Sequence, residues 1–363
     1  MFTKTIYKMV SLILTLGITL THITGCSSDS TSSLTSSESE TPTGGYNIIE
    51  SSQSIEGQDS TEMIDEQLDD NLYISAEFKM PGASLYKYST ELKNFDYNSA
   101  LYAIDSDGIG TIGGEAGSLI YVRDDMSNHL DTYCSYAVEN NMAENKDLSF
   151  LSRANAILTT EEILTQIGVN GDLTNLTIYA FNKDDMENIK DIILTDDDYS
   201  GMLSAKNYTS DSFDDNLEVY NMEFTLMVNG IAVFNNKPVL QMTRDILLAQ
   251  AVNINVLLSN NGVERIMITG AMESFEDSKE QVSIIDEEGI KAALLNEFGN
   301  VILPYEYRVR NIWMEYFPLL RDGSFSDIDL IPVWCLDFEV DGKSVEDSQY
   351  TLRFNAITGE IVS

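Results

Sequence analysis

The run Ile331-Pro332-Val333-Trp334-Cys335-Leu336-Asp337-Phe338-Glu339-Val340, the dipeptide Asp341-Gly342 and the run Gln349-Tyr350-Thr351-Leu352-Arg353-Phe354-Asn355-Ala356 read as two strands about a turn. Side chains two apart along a strand share a face. Trp334, Leu336, Phe338 and Val340 therefore make one apolar face. Tyr350, Leu352, Phe354 and Ala356 make another, with Thr351, Arg353 and Asn355 outward. A further turn is expected at Thr358-Gly359. Upstream, Tyr305–Phe317 carries the aromatic residues of a third strand. Before it, Asp286, Glu287 and Glu288 suit the positive end of a helix dipole. Ile290, Ala293, Leu294 and Phe298 form a buried stripe, and Gly299 is a stop. The order is helix, then antiparallel meander.

The same order occurs once more, further toward the N-terminus. Thr159 and Glu162 stand at capping-box spacing, Ile163, Leu164 and Ile167 form a stripe, and Gly168 ends it. Strands follow at 173–181 and 218–228, then the turn Asn229-Gly230. A hairpin at 253–259 and 263–269 turns on Asn261-Gly262. In the strand at 218–228, Tyr220, Met222, Phe224, Leu226 and Val228 face one way, while Asn221, Glu223 and Thr225 face the other. Between Asp184 and Asp198 the acids outnumber a single Lys190, which reads as a hydrated insertion. A strand at 72–78 ends on the turn Pro81-Gly82. Residues 85–150 read as short strands with a Gly-rich turn from Asp105 to Gly117.

The expected fold is α+β: two tandem helix-plus-meander units after a small β-rich segment and a disordered tether, with the helices covering one face of each sheet. The expected boundaries are a lipoprotein signal peptide at 1–25, a tether at 26–70, a β-rich segment at 71–150, and α+β units at 151–270 and 271–363.

The N-terminus reads as an address. Lys4 and Lys8 precede an apolar stretch from Met9 to Leu20, too short to span a bilayer but suited to a secretory signal. It closes on Ile23-Thr24-Gly25-Cys26, which resembles the bacterial lipobox. The resemblance implies that Cys26 receives a diacylglycerol and becomes the first residue, with acyl chains such as palmitate as the anchor. Ser27 to Gly45 is almost wholly Ser, Thr, Glu, Gly and Pro, a composition that stays extended. The expected location is the outer face of the cell membrane.

Within 363 residues, 21 Lys and Arg oppose 59 Asp and Glu, a net charge of −38. Such a surface repels phosphate backbones, which excludes sequence-independent nucleic-acid binding. Three cysteines and two histidines are too few for a disulfide framework or a multi-histidine metal centre. Cleavage after Gly25 removes His22 and leaves His129 alone.

The stretch Ile331–Phe338, the turn Asp341-Gly342 and the run Phe354-Asn355-Ala356-Ile357-Thr358-Gly359-Glu360-Ile361 resemble the end of PepSY-type modules. Pro332-Val333-Trp334 followed by Asn355-Ala356 and Thr358-Gly359 is similar to the C-terminal part of the YycH/YycI regulators of low-GC Gram-positive bacteria. Val228-Asn229-Gly230-Ile231-Ala232-Val233 resembles a step of related extracytoplasmic modules, with Ala232 where proline is usual. These resemblances imply a non-enzymatic, protein-binding regulator that restrains an extracytoplasmic peptidase or modulates a membrane sensor. Unlike the YycH/YycI regulators, this chain reads as lipid-anchored rather than held by a transmembrane helix.

No catalytic residue is assigned. A hydrolase triad needs a base, and only His129 could serve; it lies beside Cys134 without a nucleophile-elbow motif. Acid pairs at glycosidase spacing carry no information in a chain with this many acids. No cofactor is expected, with calcium the one ion to weigh. Asp105 and Asp107 with Gly110 copy part of an EF-hand loop, and so do Asp196 and Asp198 with Gly201. Both loops lack the full ligand set. Cys134 and Cys335 could pair outside the membrane. Tyr305, Tyr307, Trp313 and Tyr316 could form an aromatic glycan platform, or simply core and cross-strand pairs. A solute-binding lipoprotein serving a transporter is the competing class, and a surface hydrolase the third.

Overall fold

A computed structural model describes residues 61–362, apart from 106–107, 197–200, 202–207, 209–210, 236–250, 276–277, 300, 322–323, 325 and 342–348. The expected signal peptide, Cys26 and most of the expected tether lie outside the described residues, as do Asp107, Asp198 and Gly342. In chain order the elements are β1 (Thr61–Asp69), β2 (Leu72–Lys79), β3 (Leu85–Glu91), α1 (Tyr97–Ile104), β4 (Thr111–Gly113) and β5 (Leu119–Val122). Next come α2 (Asp125–Glu139), α3 (Arg153–Gln166), β6 (Asp172–Asn182), α4 (Lys183–Thr195), β7 (Glu218–Val228) and β8 (Ile231–Ala232). The chain continues as β9 (Asn253–Ser259), β10 (Gly262–Thr269), β11 (Lys279–Val282), α5 (Glu287–Phe298), β12 (Tyr307–Leu320), β13 (Asp327–Val340) and β14 (Gln349–Asn355). The class is α+β. Among the described residues no helix is long and apolar enough to cross a membrane.

The first sheet runs β1-β2-β12-β13-β3-β11, with β14 also on β13. Two neighbours share one edge of β13. Its start pairs with β3 (Leu330 opposite Tyr88) and its end with β14 (Trp334 opposite Phe354). Helix α5 covers one face. Ile290, Ala293 and Leu294 bury against Trp334, Leu336, Phe338 and Phe354, with Ile64, Ile74 and Phe78 from the N-terminal hairpin. The helix begins where the acids predict, with the Asp286 carboxylate accepting from the Gly289 N–H. Trp334 meets Phe78 at 5.1 Å, and Phe338 stacks on Tyr350 at 5.0 Å.

The second sheet runs β4-β5-β10-β9-β7-β6, with β8 on β7. It is covered on both faces. Residues of α1 and α3 pack on Tyr220, Met222, Phe224 and Ile254, while α2 and α4 pack on Phe181, Val219 and Leu257. The two sheets belong to one compact unit. Val233, just beyond β8, bridges Tyr316 of β12, and the Phe234 N–H donates to the Tyr316 carbonyl at 2.8 Å. Tyr88, Tyr316, Ile328 and Leu330 of the first sheet bury in the core of the second.

Several expectations are corrected. Residues 61–69 are strand, not tether: Ile64 is buried and the strand pairs residue by residue with β2, while its acids face solvent and disguise it. The segment 71–150 holds two helices. Asp96 and Asp124 cap α1 and α2 by accepting from backbone N–H groups of the first turn. Residues 183–195 form α4 rather than a hydrated insertion. Its acids lie outward while Met186, Ile189 and Ile193 bury. Helix α3 starts at Ser152, whose hydroxyl caps it, so Thr159 and Glu162 sit mid-helix. The boundary at 270/271 falls between the second-sheet strands β6–β10 and the first-sheet strands β11–β14, but the segment before 151 makes no sheet of its own: β1, β2 and β3 complete the first sheet and β4 and β5 the second. Helices on one face only is likewise wrong for the second sheet. That explains why β7 and β9 are buried on both sides, where the Asn255 side-chain amide donates to the Asn221 Oδ1 at 2.8 Å.

Candidate functional site

His129 projects from α2 toward the chain that follows α4. Its Nδ1 lies 2.8 Å from Asp211 Oδ2, and its ring packs on Tyr208 with centroids 3.7 Å apart. The Tyr133 hydroxyl, one helical turn along, reaches the same Asp211 oxygen at 2.8 Å and the Tyr208 carbonyl at 3.0 Å. Lys190 of α4 donates to the Asp211 carbonyl and pairs with Glu187 at 2.9 Å. The Asp211 carboxylate is 6% exposed and the His129 side chain 18%, so the cluster is a largely buried clasp in which both groups are already partnered.

Cys134 is five residues from His129, about 140° around the helix, and buries against the sheet. Burial pushes its thiol well above the ordinary range, and the Asp131 charge adds to this. Cys335 lies on β13 in a separate cluster with Phe317, Ile331 and Val333. Burial again raises its thiol, with Glu315 next in effect. Both cysteines are free; Cys134 sits on α2 against the second sheet and Cys335 on β13 of the first, in separate clusters.

Asp105 ends α1 and organises the loop after it. Its Oδ2 accepts from the Ile109 N–H at 2.8 Å, the Gly110 N–H at 3.2 Å and the Tyr121 hydroxyl at 3.4 Å. Gly110 is glycine for a local reason: a Cβ there would collide with the Tyr121 ring. Asp196 caps the end of α4 and accepts from the Tyr136 hydroxyl at 3.0 Å. Among the described residues no group of three His, Cys, Asp or Glu is gathered to hold a metal ion.

The four aromatic residues of the suggested platform disperse. Tyr307 packs with α5, Trp313 with Phe317 on the other face, and Tyr316 enters the second sheet's core. Tyr305 remains exposed.

One polar cluster escapes the sequence reading. Glu264 is 6% exposed and accepts from Ser127 at 2.8 Å and from the Ser259 hydroxyl. Ser259 in turn accepts from the Asn261 N–H at 2.9 Å. Glu264 thereby ties the β9–β10 turn to the first turn of α2. A β-bulge between Val263 and Arg265 turns it inward, a signal that alternation alone does not carry. Near the same helix start lies an open depression of about 470 Å³, lined by Thr111, Ile120, Val122, Arg123, Asp124 and Asn128 among others.

No family model matches the chain, and no curated protein matches its sequence. Among solved structures, an uncharacterized protein from Eubacterium rectale is similar at 13% identity over 82% of this chain and 92% of that one, with a TM-score of 0.47. YycH from Bacillus subtilis is similar at 11% identity, with a TM-score of 0.31, over 78% of this chain and 56% of that one.

Proposed function

We propose that this chain is a lipid-anchored protein of the outer membrane face that works by binding another protein. The observation that carries the reading is the fate of its reactive side chains. His129 is clamped between Asp211 and Tyr208, and Cys134 and Cys335 are sealed in separate clusters with raised thiols. Groups of this kind hold the fold; catalysis needs them open to a substrate. The Lys4–Cys26 leader and the Ser-rich run behind it support attachment by a thioether-linked lipid, with Cys26 as the site. The partner class, an extracytoplasmic peptidase to be restrained or a membrane sensor to be modulated, comes from the resemblance of the last strands. Sheet edges such as the outer side of β1, and of β6 ahead of the Ala180–Glu144 bridge, are the surfaces on which a second chain can add hydrogen bonds.

Labelling cells with an alkynyl palmitate should tag the intact chain and leave Cys26→Ala untagged. Crosslinked pull-down from membranes should recover the same partner with the intact chain and with His129→Ala. No partner above background for the intact chain would refute the reading. A saturable rise in Tm with a sugar, peptide or metal ion would favour a solute receptor instead.

A further inference from the structure

The loop that leaves α5 carries the most exposed large apolar side chain among the described residues. Ile302 is 95% exposed, beside Val301 at 56%, Tyr305 at 42% and Leu295 at 39%. A single exposed isoleucine is ordinary, but three large apolar residues exposed within the five positions 301–305 are not scattered singly. The backbone beneath is pinned. Leu303 is buried, its carbonyl accepts from the Asn71 side chain at 3.0 Å, and the Val301 N–H returns to the Phe298 carbonyl at 2.9 Å. An anchor held this way binds without first being ordered, which spares conformational entropy.

Its surroundings are negative. Asp69 and Asp70, in the turn that carries Asn71, are exposed, and Glu297 is exposed in the last turn of α5. That turn contains no base, so the negative end of the helix dipole stands uncompensated. The next arginine along the chain, Arg308, is occupied by Glu306 and by the Tyr73 ring at 4.6 Å. An apolar knob in an acidic ring is repelled by anionic lipid headgroups, and a second copy would bring the same acids against themselves. What it fits is an apolar cleft rimmed by lysine and arginine, where the aliphatic anchor fills the pocket and the rim charges steer the approach.

We infer that Val301, Ile302 and Tyr305 form the docking tip for a partner protein presenting such a basic-rimmed apolar cleft. This rests on the protein-binding reading above and names its surface. The probe is a labelled amphipathic helical peptide with leucine on one face and lysine on the other, followed by fluorescence anisotropy against the full chain. The same peptide with glutamate in place of lysine is the charge control. Ile302→Ser, at a solvent-exposed position, should leave Tm unchanged and weaken the lysine peptide about tenfold. Met63→Ser, on another exposed apolar residue at 61%, should leave the affinity unchanged, and the glutamate peptide should not bind. Equal effects of Ile302→Ser and Met63→Ser, or none, would overturn the assignment. So would Ile302-dependent binding to phosphatidylglycerol vesicles or Ile302-dependent self-association in sedimentation. A membrane partner recovered equally with Ile302→Ser would overturn this surface and leave protein binding intact. Loss of that partner with Ile302→Ser alone would support it.

Discussion

Asp211 illustrates how a buried carboxylate serves structure. Its Oδ2 takes bonds from His129 and Tyr133, both at 2.8 Å, and so fastens the chain after α4 to α2. Truncation to alanine strips both donors of their acceptor at a largely buried position. Asp211→Ala should lower the stability measured in urea by about 2–3 kcal/mol, and Asp211→Asn, which keeps one acceptor oxygen, by about 1 kcal/mol. Equal midpoints for all three chains would refute the clasp. The phenols behave in the same spirit. Burial, then the Asp105 charge, pushes Tyr121 up to about 12, and burial pushes Tyr316 up to about 12. Burial also raises Tyr133 and Tyr350. These groups stay neutral in the folded chain while the unfolded chain ionises near pH 10, so their stabilisation is complete below pH 10 and lost as pH climbs through 12. Absorbance at 295 nm should therefore show fewer than the 18 tyrosines titrating before the chain unfolds, the rest appearing together with loss of ellipticity. All 18 titrating near pH 10 in a folded chain would contradict this.

Helix α4 shows what a charged sequence conceals. Asn182 accepts from the Asp185 N–H at 3.0 Å, and Asp185 accepts from the Asn182 N–H at 2.8 Å, a reciprocal cap. Asn182→Ala and Asp185→Ala should each cost about 1 kcal/mol, and the double variant should cost less than the sum, since each bond-pair secures the other. Full additivity in a thermal denaturation cycle would argue against a reciprocal box. Only Met186, Ile189 and Ile193 bury, so seven acids between Asp184 and Asp198 swamp a three-residue stripe. Helix α2 carries its signals in the sequence, with Asp124 at the cap and Leu130, Tyr133, Cys134 and Ala137 at helical spacing. Helix α5 and the hairpins at Asn229-Gly230 and Asn261-Gly262 were plain. Both Asn229 and Gly230 adopt positive φ, 51° and 75°, as the turn chemistry demands. The candidate site was the reverse. The residues of the His129 clasp are 82 positions apart or less, but nothing in local spacing says that Asp211 returns to α2.

At the scale of the whole molecule, the chain closes on itself. Local periodicity reports which strands exist and says little about which distant strand lies on a free edge, so the reading of two tandem units missed that the N-terminal strands finish the first sheet. β2 lies parallel to β12, with Tyr307 opposite Leu72 and Val309 opposite Ile74, and β3 takes the first half of β13. The core around Trp334 depends on that return: Ile64, Leu72, Ile74, Ala76 and Phe78 all belong to it. A fragment of residues 271–363 would keep α5 and the β12–β13–β14 meander but lose these five apolar partners. It would also lose the second sheet's core, in which Tyr316, Ile328 and Leu330 bury. Large apolar side chains stripped of cover cost about 1.5–3 kcal/mol each, more in sum than the margin of about 5–15 kcal/mol by which domains stay folded. The fragment should therefore show no cooperative urea transition, and red-shifted emission from Trp313 and Trp334 together, while the full chain melts in one step. A cooperative transition in the isolated fragment, with blue-shifted tryptophan emission, would mean that the meander folds by itself and that the N-terminal strands merely decorate it.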